Sequence, residues 1–139
     1  MKMLHAELKS KIRKLWDKFW SGGISNPLQA IEQISYLIFM KRLEDRDVFE
    51  EQNASLKKIK YKSIFEGHEE CKWSVWSEYP ADKILVHVRD VVFPFMRTLG
   101  GNGSHYNNYM KDATFSLPTA SLLIEAVNII NDLHIKEQN

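Results

Sequence analysis

The sequence predicts an all-α fold, a single orthogonal or irregular helical bundle of about five helices with a long, irregular connection in the middle. Apolar residues recur every three or four positions in several segments, which is the spacing of an amphipathic helix. Proline, glycine and asparagine stand at the borders of these segments, where helices begin and end. The 139 residues, 44% of them hydrophobic, suit one domain with a substantial core, so we treat residues 1–139 as a single domain.

The first predicted helix runs from Met3 to Trp20, and its polar face is basic. Ser21-Gly22-Gly23 then supplies a glycine C-cap, which predicts a short-loop helical hairpin with the next helix. Two interpretations of the basic face remain open. It is either a solvated helix surface or a surface that faces nucleic-acid phosphates. The candidate phosphate contacts are Lys9, Lys11, Arg13, Lys14 and Lys18.

The second predicted helix, residues 26–47, is the central one. Asn26 can cap its first turn, Pro27 suits its first helical position, and Gln29 stands where a capping-box partner belongs. Its middle is apolar almost all the way round, so burial on several sides is expected. A charged end from Lys41 to Asp47 is predicted to return the chain to solvent. The predicted structural core comprises Ile31, Ile34, Ile38, Leu43 and Trp73.

The middle of the chain, residues 48–67, loses helical periodicity and is predicted to be an irregular connection with a brief extended piece. Its basic run with one tyrosine is also a weak nucleic-acid pattern. Trp73 and Trp76 follow at a spacing that places them on one side of a turn. Buried anchoring of the long loop is the expected role, and an exposed recognition patch is the alternative. The lysines of the basic run are Lys57, Lys58, Lys60 and Lys62.

Prolines mark the remaining predicted helices. Pro80 opens the third helix, which Pro94 is expected to kink or end because proline lacks an N–H donor. Residues 100–103 predict a glycine-rich turn, and Ser104 can cap a short helix. Pro118 is predicted to open the last helix, which carries an apolar stripe from Leu122 to Leu133.

The composition and motifs of the chain argue against several functional classes. A net charge of +1 gives no global reason for nucleic-acid binding, and the single cysteine suits a reducing, cytoplasmic location. The apolar runs are too short for a membrane helix, so no membrane partner is expected. His68 and Cys71 have a metal-like spacing without a second ligand pair, and we expect ordinary surface residues there. The acidic group at residues 44, 45 and 47 fits helix-end charges better than a metal site, and no catalytic constellation is found.

Four segments give the chain a family resemblance. They read ISYLIFMKRLED at residues 34–45, KWS at 72–74, FPF at 93–95 and YMKDA at 109–113. In order and separation they resemble the N-terminal helical domain of the methyltransferase (M) subunit of type I restriction-modification systems. The resemblance spans nearly the full length of the chain.

The resemblance implies a non-catalytic domain that serves subunit assembly and sequence-independent clamping of double-stranded DNA. The implied partners are a specificity (S) subunit, a restriction (R) subunit and a second M subunit. The parent subunit would methylate adenine N6 with S-adenosylmethionine as cofactor, in a separate catalytic domain. The chain lacks the glycine-containing cofactor loop and the Asn/Asp-Pro-Pro-Phe/Tyr motif of that domain, and Asn26-Pro27-Leu28 is only a superficial echo. We therefore expect no catalytic, cofactor-binding or metal-binding residues in this chain. We also expect the chain to be either a separately produced domain or a shortened subunit.

A stand-alone helical protein-interaction module without a DNA role remains the alternative. A downstream Asn-Pro-Pro-Phe-type motif in the reading frame would favour the M subunit, and a natural stop codon would favour the stand-alone module. In either case a charge at Ile38 is expected to unfold the domain, because this side chain is predicted to be buried.

Overall fold

The structure, a computed structural model, describes residues 2–99 and 109–137, with the exception of the side chains of residues 2–5, 7, 8, 12 and 133–137. The all-α prediction is confirmed, because the described residues form helices and no strand. The predicted glycine-rich turn at 100–103 and the short helix after Ser104 lie outside the described residues. The helices are α1 (Lys2–Ser21), α2 (Pro27–Leu56), α3 (Trp73–Trp76), α4 (Ala81–His87), α5 (Phe93–Thr98) and α6 (Ala120–Glu137), with a 3₁₀ turn at Glu69–Cys71 and a π turn at Val88–Val92.

Helix α2 begins as predicted but ends later. The Asn26 Oδ1 atom accepts a hydrogen bond from the Leu28 N–H at 2.9 Å, which confirms the N-cap. Gln29 does not complete a capping box, because its Nε2 instead donates to Ser116 Oγ at 2.9 Å. The helix runs on to Leu56, since residues 48–56 contain neither glycine nor proline to stop it.

Helices α1 and α2 end in the same hydrogen-bond motif. At the end of α1, Gly23 has a φ of 110°, and the Ile24 N–H donates to the Phe19 carbonyl at 3.0 Å. This is a Schellman cap, in which glycine adopts the left-handed conformation without a steric penalty. Ile24 and Phe19 are both buried, so the cap of α1 is part of the core.

The cap of α2 carries a lysine where α1 has a glycine. Lys58 has a φ of 56°, its N–H donates to the Ser55 carbonyl at 3.1 Å, and the Ile59 N–H donates to the Ala54 carbonyl at 2.8 Å. A side chain in this left-handed conformation is strained. Ile59 remains exposed, whereas Ile24, which holds the same place after the cap of α1, is buried.

The helical chain continues through Pro94, so of the two expectations, a kink or an end, the end is wrong. Helix α4, the π turn and α5 follow one another without a break, and the Phe93 N–H donates to the Val88 carbonyl five residues earlier. The wider π turn lies immediately before Pro94, which has no N–H to donate to the preceding turn. Proline therefore changes the local helix type without ending the helix.

Helix α6 closes the bundle by packing against α1, α2 and α4. It begins at Ala120, two residues after the start predicted at Pro118. Thr119 caps it, because the Thr119 Oγ1 atom accepts a hydrogen bond from the Leu122 N–H at 3.1 Å. Its buried apolar stripe joins the tryptophans of α3 in the core, and Trp73 Nε1 donates to Asn131 Oδ1 at 2.7 Å. The buried residues of the α6 stripe are Leu122, Leu123, Ala126, Val127 and Ile130.

The predicted core residues differ in how deeply they are buried. Leu43 and Trp73 are buried. Ile34 and Ile38 are only partly buried at the edge of the core. The prediction for Ile31 is wrong, because 51% of this residue is exposed. The helix is apolar almost all the way round, so its sequence does not specify which apolar side meets the rest of the chain.

Polar side chains occupy part of the side of α2 that faces the core. Gln33, Glu44 and Asp47 are buried, so the prediction that the charged end returns to solvent is wrong for both carboxylates. Together with Leu37 and Met40 they recur at intervals of three and four residues, which places all five on one side of the helix.

Each buried polar residue of α2 holds a non-helical or short segment in place. Asp47 accepts from Tyr61 OH and Ser63 Oγ, both at 2.6 Å, and from the Ile64 N–H at 3.2 Å. Glu44 accepts from the Ser74 N–H at 3.0 Å and from its hydroxyl at 2.5 Å. Gln33 donates to the Thr114 carbonyl at 2.8 Å and accepts from the Ser116 N–H at 3.1 Å. These bonds fasten the irregular connection, α3 and the segment before α6 to the central helix.

Candidate nucleic-acid interface

The position of the basic helix α1 is set by its apolar side. Leu15 and Phe19 are buried, and Trp16 packs against the edge of the core. The main partner of α1 is α6, which runs antiparallel to it. The helical spacing of the buried residues thus places the lysines and the arginine along the sides and the back of α1.

Two of the five candidate phosphate contacts form ion pairs with α6. Lys11 pairs with Asp132, and Lys18 pairs with Glu125 at 3.2 Å. Lys11 and Lys18 are seven residues apart, and so are Glu125 and Asp132. The two ion pairs therefore lie two turns from each other along the antiparallel helices. Their side chains are partly exposed, and such pairs each contribute only about 0–1 kcal/mol. They nevertheless place a negative charge beside each lysine.

The other three candidate contacts lie on the exposed surface of α1. Lys9, Arg13 and Lys14 are exposed, and none of them forms an ion pair within the described part of the chain. Lys9 and Arg13 are four residues apart and therefore neighbours on the helix surface. Trp20, which is more than half exposed, follows Arg13 by two turns on the same side. The structure thus leaves a smaller basic surface than the sequence suggests.

A second basic surface lies in the irregular connection. Lys57, Lys58, Lys60 and Lys62 are all exposed, and none is ion-paired within the part of the chain that the structure describes. The segment is held at one end by the α2 cap and at the other by the bond from Tyr61 to Asp47. We refer to residues 57–62 as the lysine arm.

The possible metal pair of the sequence does not come together as two surface ligands. His68 is exposed and stacks on Phe95 with ring centroids 4.7 Å apart. Cys71 is buried, which corrects the prediction of a surface residue, and its thiol lies 3.9 Å from the Val91 carbonyl. Burial raises the pKa of Cys71 to about 12, with a further contribution from Glu70. The thiol therefore stays protonated at neutral pH and is a packing group.

The acidic group of α2 is engaged in hydrogen bonds within the protein. Glu44 and Asp47 serve the contacts described above, and Asp45 accepts from Lys41 Nζ at 3.0 Å. In the described residues, no three His, Cys, Asp or Glu side chains are grouped as a metal site would require. A cavity of about 20 Å³ beside Asp47 and Tyr61 has room for about one water molecule.

The described helices were compared with the requirements of a membrane-spanning segment. None of them combines the length and the apolar character that a membrane-spanning helix requires.

The fold and these surfaces define an all-α domain with exposed basic patches and a tightly hydrogen-bonded central helix. The sequence model for the HsdM N-terminal domain matches residues 8–130, so the chain belongs to this family, the N-terminal domain of the M subunit of type I restriction-modification systems. No curated protein and no solved structure matches the chain. Membership of the family confirms the resemblance drawn from residues 34–45, 72–74, 93–95 and 109–113, and it relates the chain to type I methyltransferase subunits.

Proposed function

We propose that this domain contributes to subunit assembly and to sequence-independent binding of double-stranded DNA within a cytoplasmic type I restriction-modification complex. The observation that supports the DNA role is the exposed surface of Lys9, Arg13 and Lys14, whose charges no described acid neutralises. Contacts to phosphates position a protein on DNA without reading its sequence. Lys11 and Lys18 have a weaker claim as phosphate contacts, because each already has an acidic partner on α6.

The proposal includes the partners and the chemistry of the parent subunit. The S subunit would read the DNA sequence, the R subunit would join in the nuclease complex, and a second M subunit would share the DNA. S-adenosylmethionine would be bound, and adenine N6 methylated, in a catalytic domain distinct from this helical one. The alternative of a stand-alone interaction module differs in one measurable respect, since it predicts no DNA binding through α1.

The test measures how DNA binding by the full chain depends on salt concentration. A variant with Lys9→Gln, Arg13→Gln and Lys14→Gln is titrated into fluorescent duplexes of two unrelated sequences, with anisotropy as the readout. We expect weaker binding to both sequences and a slope of log K against log salt that is shallower by up to about 2.7, at about 0.9 for each lost phosphate contact.

A control of equal charge shows whether the effect belongs to α1. Lys58→Gln, Lys60→Gln and Lys62→Gln remove three charges from the lysine arm and leave α1 intact. Binding that weakens equally in the two variants would show that DNA binding does not depend on α1 in particular and would refute the assignment to α1. An unchanged salt slope in the α1 variant, or no binding by the unaltered chain at low salt, would refute the DNA role.

A further inference from the structure

The outward side of α2 carries a regular row of residues that are exposed or half-buried. Its positions recur at alternating intervals of three and four residues, the spacing of a coiled-coil seam. Of its apolar members, Ile31 is 51% exposed, Phe49 58% and Leu56 82%, while Ile38 is half-buried. We call this row the outer seam. It comprises Ile31, Ser35, Ile38, Arg42, Asp45, Phe49, Gln52 and Leu56.

The outer seam is directed away from the core. Asp47 and Phe49 are two residues apart, which turns the second side chain by about 200° around the helix axis. Because Asp47 is buried on the core side, Phe49 lies on the opposite side. The seam spans roughly 37 Å at 1.5 Å per residue. Leu28 and Ile59, just beyond its two ends, are exposed as well.

Read in either direction, the outer seam has the same order of apolar, polar and charged positions. Only the signs of the two central charges are exchanged. When two such helices run antiparallel, each position meets the mirror-related position of the other copy. Ile31 then meets Leu56, and Ile38 meets Phe49, so apolar side chains face each other. Ser35 meets Gln52, both polar. At the centre, Arg42 of each copy meets Asp45 of the other, which places opposite charges in contact.

We infer that a second copy of this chain docks along the outer seam, with the two α2 helices antiparallel and related by a two-fold axis between Arg42 and Asp45. A two-fold interface requires a surface that is complementary to itself, and the outer seam fulfils this at every position. In such a pair the central charges fix the register, because a shift by one heptad would place Asp45 opposite Phe49 in one direction and Arg42 opposite Ile38 in the other. Asp45 also accepts from Lys41 of its own helix, so the carboxylate would be shared between two cations.

The inference gives the proposed assembly role a particular partner. It rests on the surface of α2 alone, because self-association is measured without DNA or another subunit. Its failure would leave the DNA role intact, and the α1 variants leave the outer seam unchanged.

Sedimentation equilibrium of the full chain over a range of concentrations tests the dimer. We expect the mass to rise from monomer to dimer, and Phe49→Glu to raise the dimer dissociation constant at least about tenfold. Circular dichroism should show an unchanged fold, since Phe49 is exposed. Val86→Glu, at a half-exposed residue on α4, is the matched control and should leave the constant unchanged. A monomer at all concentrations, or a dimer indifferent to Phe49→Glu, would overturn the inference.

Reversal of the central charges tests the antiparallel register. Arg42→Glu alone brings four carboxylates together and should weaken the dimer about tenfold, the usual scale for the loss of a close charge pair. Adding Asp45→Lys to the same chain restores opposite charges across the axis and should restore the dimer. If the double variant stays as weak as the single one, the proposed register is wrong.

Discussion

The two sides of α2 both mix apolar with polar and charged residues, so residue type alone does not decide which side is buried. The core side, at positions 30, 33, 37, 40, 44 and 47, includes an amide and two carboxylates. The outer seam has the same alternating spacing, yet it exposes isoleucine, phenylalanine and leucine. The difference teaches that burial here follows hydrogen-bond partners as well as apolar character. The inner polar groups are satisfied by segments of this chain, whereas Ile31, Phe49 and Leu56 on the outer side remain more than half exposed.

The largest contrast is expected between the neighbours Leu37 and Ile38. Leu37 is buried on the core side, so Leu37→Asp places an unpaired charge in the core and should cost at least about 4 kcal/mol, enough to unfold a typical domain. Ile38 is half-buried at the edge, so the expectation that a charge there unfolds the domain is replaced by a cost of only about 1–2 kcal/mol for Ile38→Asp. Urea unfolding followed by circular dichroism measures both. Equal losses would mean that the two sides of α2 do not differ in burial.

The next contrast compares two carboxylates of α2. Asp47→Ala leaves two hydroxyls and a backbone N–H without their acceptor and should lower the free energy of unfolding by about 3 kcal/mol. Glu50→Ala removes an exposed carboxylate one turn later and should change it by less than about 0.5 kcal/mol. Chemical denaturation of both variants provides the measurement. A loss below about 1 kcal/mol for Asp47→Ala would show that solvent replaces its hydrogen bonds.

A pair of glutamines repeats the comparison with a neutral side chain. Gln33→Leu deprives the Thr114 carbonyl and the Ser116 N–H of their partner and should cost about 2 kcal/mol, although leucine is more apolar. Gln52→Leu, on the outer seam, should leave monomer stability within about 0.5 kcal/mol. Thermal unfolding of both variants provides the measurement, at a low protein concentration so that the stability of the monomer is compared. A stabilising Gln33→Leu would show that the amide contributes no net stability.

The smallest expected effect concerns the exposed cap of α2. Lys58→Gly relieves the left-handed strain and should raise the free energy of unfolding by about 0.5–1 kcal/mol. Lys57 has the ordinary helical conformation, with a φ of −87°, so Lys57→Gly should be slightly destabilising and serves as the control. Denaturation midpoints of both variants are compared. If both glycines act alike, the strain at Lys58 is negligible.

The helix boundaries were the most predictable part of the fold. The asparagine cap before α2 and the glycine after α1 act within a few residues, so their hydrogen bonds can be read from neighbouring positions. The end of α2 was not predictable, because residues 48–56 carry no stop signal and no clean apolar stripe. The lysine in the left-handed cap has no sequence signature comparable to that of glycine.

The candidate site was predictable only as a set of residue types. The sequence places five basic residues on α1, but whether each is paired depends on α6, more than one hundred residues away. The roles of Gln33, Glu44 and Asp47 were missed for the same reason, since their partners lie 14 to 83 residues further along the chain. Polar residues that share a three-four spacing with apolar residues are the one signal in the sequence that could have suggested these roles.

The sequence by itself determined that the chain is helical, where several helices begin, and to which family the domain belongs, because these properties depend on local hydrogen bonding and on residue order. The tertiary structure decided which side of α2 is buried and which cations of α1 remain unpaired. Helical periodicity specifies which side chains share a side, but only packing against distant segments determines which side meets the core. For a helix as apolar as α2, that choice exposed Ile31 and buried Asp47.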